Sequence, residues 1–258
     1  MAKISACIIS FNEEDKIEDC LKSLQNVADE IIVVDSGSQD KTLCIVNQFT
    51  DKVFTQSVWQ GFGIQRQRAQ QYATSDWILM IDADERVTPE LRQEIIDVVQ
   101  KNDKTKVYGV PRLSWVFGRF IRHSGWYPDY VIRLYPRQRG SYGQERVHEK
   151  LQYDEDMEVK YLHGDLIHYT YRDLEHYLTK SAHYAAEWAY QRQAMGQQSS
   201  LSQGIVHGVA CFIKMYILRA GFLDGKQGFL LALLSAHSTF VKYADLWIRS
   251  QTPVLKPK

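Results

Sequence analysis

The chain has 258 residues, 45% of them hydrophobic and 24% charged, a balance that excludes a disordered chain and suffices for a sizeable core. Thirty-one lysines and arginines face thirty-one aspartates and glutamates, so no overall field points to nucleic acid as a partner. The charge is unevenly spread: residues 201–258 carry seven basic and two acidic side chains, a net of +5, which leaves −5 for residues 1–200.

Cys7, Cys20, Cys44 and Cys211 show no CxxC or zinc-like spacing, which suits a reducing compartment. The apolar start Met1–Ser10 is too short for a signal peptide and runs into acidic sequence. The expectation is a cytoplasmic protein.

In chain order, Lys3–Ile9 reads as a strand and Glu13–Asn26 as a helix with Ile17, Leu21 and Leu24 on one face. Glu30–Asp35 is a continuous apolar run closed by an acid, the pattern of a parallel strand buried on both faces. Helix over Asp40–Phe49, strand over Lys52–Thr55 and helix over Ile64–Ala73 follow, and then a second apolar run ending in acid, Asp76–Asp82. Thr88-Pro89-Glu90 supplies an N-cap, a first-turn proline and an acid, predicting a helix over Pro89–Lys101. Val107–Leu113 and Val131–Tyr135 read as strands, and from Arg172 the texture changes to long helices over Leu174–Met195, Gly204–Leu223 and Gly228–Arg249.

Alternating strands and helices predict an α/β protein with a mostly parallel sheet flanked by helices, whose ligand lies beyond the carboxyl ends of the strands. Residues 1–171 form the expected sheet domain and residues 172–258 a helical extension. A membrane span over Ile205–Leu223 is disfavoured by His207, Lys214 and Arg219, at roughly 3 kcal/mol per charge near the bilayer centre. An interfacial amphipathic helix stays open.

Ser10, Asp35 and Asp82 all fall at strand ends on one edge. In Asp82-Ala83-Asp84 the two acids stand at alternate positions, so on an extended backbone both carboxylates can share one Mg²⁺ or Mn²⁺. The alternative is a solvated acidic turn. Asp35, with Gly37 for a tight turn and Ser38 or Asp40 as a cap, can accept hydrogen bonds from a nucleobase or ribose, or simply close a strand-to-helix turn. Ser10 and Asn12 offer short polar groups at a helix start, where backbone N–H groups favour anions and where such residues also serve as caps.

Four segments carry a resemblance: Ile8-Ile-Ser-Phe-Asn-Glu13, Val34-Asp-Ser-Gly-Ser-Gln-Asp-Lys-Thr42, Gly61-Phe-Gly-Ile-Gln-Arg66 and Trp77-Ile-Leu-Met-Ile-Asp-Ala-Asp-Glu85. The chain resembles family 2 glycosyltransferases of the GT-A fold, and within them bacterial β-glucosyltransferases that extend the inner core of lipopolysaccharide. The resemblance implies a Rossmann-like GT-A domain that transfers a hexose with inversion, by default glucose from UDP-glucose, with Mg²⁺ or Mn²⁺ as cofactor. Ser10, Asn12, Glu13, Asp35, Arg66 and Asp82 would bind the donor, Asp35 at the uracil and Asp82 at the ribose or metal. Asp84 would hold the metal that bridges the diphosphate. Gln67 stands where relatives often have Asn and puts one nucleotide contact in question.

An inverting transfer needs a base opposite the departing diphosphate. Glu149, in Arg146-Val-His-Glu149, is the candidate because similar proteins carry an acid near this point; an exposed, salt-paired glutamate is its alternative. His168 matches the place where GT-A enzymes often supply a metal-binding histidine, with His148 and His163 as substitutes and a hydrogen-bonded core residue as the other reading. Trp115, Trp126, Tyr127 and Tyr130, interspersed with Arg119, Arg122 and Arg133, suit a phosphorylated or lipid-linked glycan acceptor, or core packing. The basic C-terminal helices would rest on the inner face of the cytoplasmic membrane or pair in a homo-oligomer. A nucleotidyltransferase and a non-catalytic glycan-binding scaffold are the rival functions; the first would want a Gly-rich, Lys-containing phosphate loop near the N-terminus, and none is evident.

Overall fold

The structure, a computed structural model, describes residues 1–143 and 150–251. It begins with alternating strands and helices: β1 (Ile4–Ser10), α1 (Ile17–Leu24), β2 (Glu30–Asp35), α2 (Thr42–Val46), β3 (Val53–Thr55), α3 (Phe62–Gln71) and β4 (Trp77–Asp82). Then come β5 (Glu85–Val87), α4 (Pro89–Lys101), β6 (Lys106–Val116), β7 (Arg119–Phe120), β8 (Asp129–Pro136), β9 (Gly140–Tyr142), β10 (Leu151–Tyr153), β11 (Glu158–Tyr161) and β12 (Leu166–Tyr171). Helices α5 (Leu174–Ala194), α6 (Leu201–Phe212) and α7 (Gly225–Gln251) close the described chain. Two units emerge: Met1–Arg112 with Asp129–His168, and Leu113–Pro128 with Tyr169–Lys258. Residues 113–128 and 169–171, expected within the sheet domain of residues 1–171, are grouped with the helices of the second unit.

In the first unit the strand order runs β3-β2-β1-β4-β8-β6. β1 pairs parallel with β2 and β4, and β2 with β3; β8 then pairs antiparallel with both β4 and β6. The fold class expected from the sequence holds, with antiparallel strands added after β4. The period of two sorts the core into two layers. Ala6, Ile8, Val33, Leu79 and Ile81 pack under Ile17, Leu21 and Leu24 of α1 and Leu91, Ile95 and Val99 of α4. Cys7, Ile32, Val34, Ile78 and Met80 face the other way, onto Ala69 of α3 and Tyr135. Helix α4 starts as predicted: the Thr88 side chain accepts the Leu91 N–H at 3.3 Å, and Asn102 closes the helix in the left-handed region.

At the opposite end of these strands from Ser10, Asp35 and Asp82, Glu30 ties three segments together. Its carboxylate accepts from the Ser5 hydroxyl and the Lys52 ammonium, from the Thr74 N–H at 2.6 Å and from the Ser75 N–H at 3.1 Å. Burial alone would raise its pKa, but Lys52, Ser5 and Thr74 outweigh it and hold Glu30 well below the usual carboxylate range. A depressed folded pKa means stability that is present above the unfolded value and lost as pH falls. Glu30→Gln should therefore cost about 1.5–3 kcal/mol in urea unfolding at neutral pH, a difference that shrinks below about pH 4. A deficit unchanged between neutral and acidic pH would contradict this account.

In the second unit Val116, Ile121, Tyr177, Met215, Leu231 and Ala232 form the core. Asp173 caps α5 by accepting the His176 N–H at 2.8 Å, and Ser200 with Gln203 forms a capping box on α6. The single helix expected over Gly204–Leu223 is broken. After α6 the chain widens into a π-helical turn, Ile213–Leu218, passes through Ala220 at φ 52°, and tightens into a 3₁₀ turn, Gly221–Asp224. Only glycine fits at position 221 in this turn: a Cβ there would lie 2.5 Å from Ser124 Oγ and 2.7 Å from the Met215 carbonyl oxygen. Local periodicity could not report that crowding, because Ser124 is distant in sequence.

Candidate active site

The register places the three sequence-predicted strand ends side by side, Ser10 opposite Asp35 and Ile9 opposite Asp82. Asp35, fully buried, serves its own loop. Its carboxylate accepts from Ser10 Oγ at 2.9 Å, from the N–H groups of Gly37 and Ser38 at 2.8 and 2.7 Å, and from Ser38 Oγ at 2.5 Å. Gly37 supplies the φ of 98° that this turn requires.

The loop after β1 is stitched to the same turn. Asn12, at φ 53°, donates its N–H to Ser38 Oγ at 2.8 Å and accepts the Gln39 N–H at 2.9 Å, while the Glu13 N–H goes to Thr42 Oγ1 at 2.8 Å. Burial lifts the pKa of Glu13; Lys16 pulls it down, and the charges of Asp84 and Asp82 push it up again.

Asp82 and Asp84 have different partners. β4 ends at Asp82 and Ala83-Asp84 make a turn, so the extended backbone that would aim both carboxylates the same way is interrupted. Asp82 accepts from Arg66 Nη2 at 2.7 Å and from Arg133 Nη2 at 2.5 Å. That Arg133 nitrogen also donates to Glu85 Oε1 at 2.6 Å, and Glu85 Oε2 accepts the Asp82 N–H at 3.0 Å. Burial would raise the pKa of Asp82, but Arg133 and Arg66 hold it far below the usual range. Arg112 extends the network, 3.8 Å from Glu85 and bound through Nε to Asp129 at 2.9 Å.

Asp84 instead meets His168, with Nε2 3.4 Å from Oδ2. The register explains it: β12 pairs antiparallel with β5 so that His168 stands opposite Glu85, the residue after Asp84. Burial would raise the pKa of Asp84, and the hydrogen bond and charge of His168 more than offset it. A carboxylate oxygen and an imidazole nitrogen this close suit a first-row divalent ion. Among the described residues no third His, Cys, Asp or Glu joins them, so a cation held here would need further oxygen ligands from outside this pair.

Glu149 and His148 lie outside the described residues. His163, the other substitute, is far from this chemistry, 3.7 Å from Glu94 on an exposed edge. Gln67 donates to the Tyr142 carbonyl, and the Arg66 guanidinium lies 5.2 Å from the Tyr142 ring centre. The aromatic stretch divides by location. Trp126 packs on Tyr171 in the core of the second unit and Trp115 on Phe120, whereas Tyr130, in the first unit, is 43% exposed against Tyr161. Arg133, grouped with acceptor-binding arginines in the sequence reading, is buried against Asp82 and Glu85. The part played by Glu85 went unread as well; the available signal was a charge at a buried alternate position, which needs a partner.

A mixed sheet flanked by helices, with two of its parallel strands ending in acids, Asp35 and Asp82, is the GT-A glycosyltransferase architecture. A structure of S. aureus TarS 1-349 in complex with UDP shares this fold with a TM-score of 0.50 at 15% identity, over 98% of this chain and 93% of that one. Residues 5–162 match the model of Glycosyl transferase family 2, and the chain belongs to that family. An uncharacterized glycosyltransferase of Rickettsia bellii is 31% identical over 95% of this chain and 86% of its own length. The lipopolysaccharide core biosynthesis glycosyltransferase LpsC of Rhizobium meliloti is 28% identical over 95% and 92%.

Proposed function

We propose that this glycosyltransferase transfers a hexose with inversion, glucose from UDP-glucose by default, onto a lipopolysaccharide-core or other lipid-linked glycan, working at the inner face of the cytoplasmic membrane. The observation that carries the proposal is the Asp84–His168 pair beside the arginine-held Asp82, where β1, β2 and β4 end. The likeness to LpsC supports the acceptor class, and the UDP bound by TarS supports the donor.

Asp84 and His168 would hold Mg²⁺ or Mn²⁺, which when bound supplies positive charge to the departing diphosphate. Asp35, Ser10, Asn12 and Glu13 shape the loops that receive the nucleotide, and Arg66 and Arg133 fix Asp82 at the edge of its site. The acceptor hydroxyl attacks the anomeric carbon in line with the departing diphosphate and gives its proton to Glu149, so one displacement inverts the centre.

The test is a donor screen with Mn²⁺ or Mg²⁺, measuring nucleotide release with and without chelator. Release from UDP-glucose that chelator abolishes is the expected result. No turnover of any sugar nucleotide, and no response to chelator, would overturn the proposal. Glu149→Gln should leave donor binding intact and lower transfer by about a hundredfold or more, the range general-base catalysis supplies; transfer at the parental rate would show that another group is the base.

A further inference from the structure

α6 buries a stripe of small residues and leaves the rest of its circumference to solvent. Gly204 and Gly208 face α7 so closely that a Cβ would lie 3.1 Å from the Phe240 ring at the first and 3.1 Å from the Ala236 carbonyl oxygen at the second. The other side carries Ile205, Val206, Val209, Ile213, Ile217 and Leu218, all exposed, with Leu218 at 74%. Leu201–Leu218 has a mean hydropathy of 1.4 and is only 11% buried. Phe222 and Leu223, in the 3₁₀ turn that follows, are exposed too. A helix face turned to water is ordinarily polar, and an apolar surface this continuous marks a contact.

The charge around it has one sign. From Trp188 to Lys242 the sequence holds a single acid, Asp224. That residue is 2% exposed and engaged by the N–H groups of Arg122 and His123 at 3.2 and 2.8 Å and by His123 Nδ1 at 3.0 Å. The exposed charges of the patch are Lys214, Arg219 and Lys226.

We propose that this face, α6 with the two turns after it, docks the second unit onto an anionic lipid bilayer. Apolar side chains would enter the headgroup boundary while Lys214, Arg219 and Lys226 meet lipid phosphates. A second copy fits less well, because a two-fold contact would set this basic patch against itself. A span fits less well too: Leu201–Leu218 has 18 residues, near the lower limit for crossing, it contains Lys214, and the helix breaks at Ala220. The docking face rests on the membrane location proposed above and not on the donor chemistry, so loss of vesicle binding and loss of sugar transfer are separable failures.

The experiment is co-sedimentation of the full chain with phosphatidylcholine vesicles, with and without phosphatidylglycerol. Binding should favour the anionic vesicles by about tenfold or more and be released by high salt. Ile217→Glu with Leu218→Glu should weaken binding at least tenfold, as should Val206→Glu with Val209→Glu if the first pair fails to fold by circular dichroism. Lys214→Glu with Arg219→Glu should erase the anionic preference, at about fivefold per cation lost. Nucleotide release from the donor should be unchanged throughout. Parental vesicle binding by the folded apolar variants would overturn the proposal. So would a dimer, seen by light scattering, that those variants dissociate while vesicle binding persists, and so would binding that withstands both high salt and alkaline carbonate, the behaviour of a span.

Discussion

Asp84→Ala is expected to lower kcat/KM for sugar transfer by about a thousandfold or more, the several kcal/mol that a cation supplies to a departing diphosphate. Asp84 is only partly buried and its side chain meets His168, so its removal should leave the fold intact and its unfolding midpoint close to the parent. Donor binding measured by calorimetry should lose its response to Mn²⁺ at the same time. His168→Ala should reproduce a smaller part of the loss, since Asp84, the other proposed ligand, remains. An Asp84→Ala protein that transfers within tenfold of the parent would remove this residue from the site.

Arg133→Met should produce the largest stability loss, about 3–5 kcal/mol by urea unfolding, as expected when one partner leaves a buried ion cluster. Arg133 is 5% exposed and Glu85 is fully buried, so water cannot replace the lost donor. Asp82 would retain Arg66, whereas Glu85 would keep the Asp82 N–H and the more distant Arg112. Adding Glu85→Gln to Arg133→Met should restore about 1–3 kcal/mol, the coupling of groups in direct contact. Strict additivity of the two substitutions would mean that the ion pair carries no net energy.

The consequence for catalysis is positional. Glu85 accepts the Asp82 N–H while sharing Arg133 with the Asp82 side chain, so both ends of the residue that opens the Asp-Ala-Asp turn are fixed from one buried carboxylate. Glu85→Gln keeps one oxygen acceptor and the shape, and should disturb transfer less than Glu85→Ala.

Much of the first unit was legible from local pattern. Glu30–Asp35 and Pro89–Lys101 fall where predicted, because an apolar run closed by an acid and a Thr-Pro helix start are signals within a few residues. Ser10, Asp35 and Asp82 were read to one edge, since parallel strands joined by helices must end on the same side. The divergence of Asp82 from Asp84 was not legible, because the alternation rule presumes strand where the chain turns. Nor was the break before Gly221, where the chain packs closely against a distant serine within an apolar stretch that reads as continuous helix.

The sequence by itself therefore determined the sheet class, the family and the strand ends at which chemistry gathers, all properties of neighbours in the chain. Tertiary structure alone decided which charges meet: Arg66, Arg133 and Glu85 around Asp82, and His168 beside Asp84. Those partners are 3 to 84 positions away, brought together by strand register, and register is selected by the summed fit of both core faces rather than by any local motif.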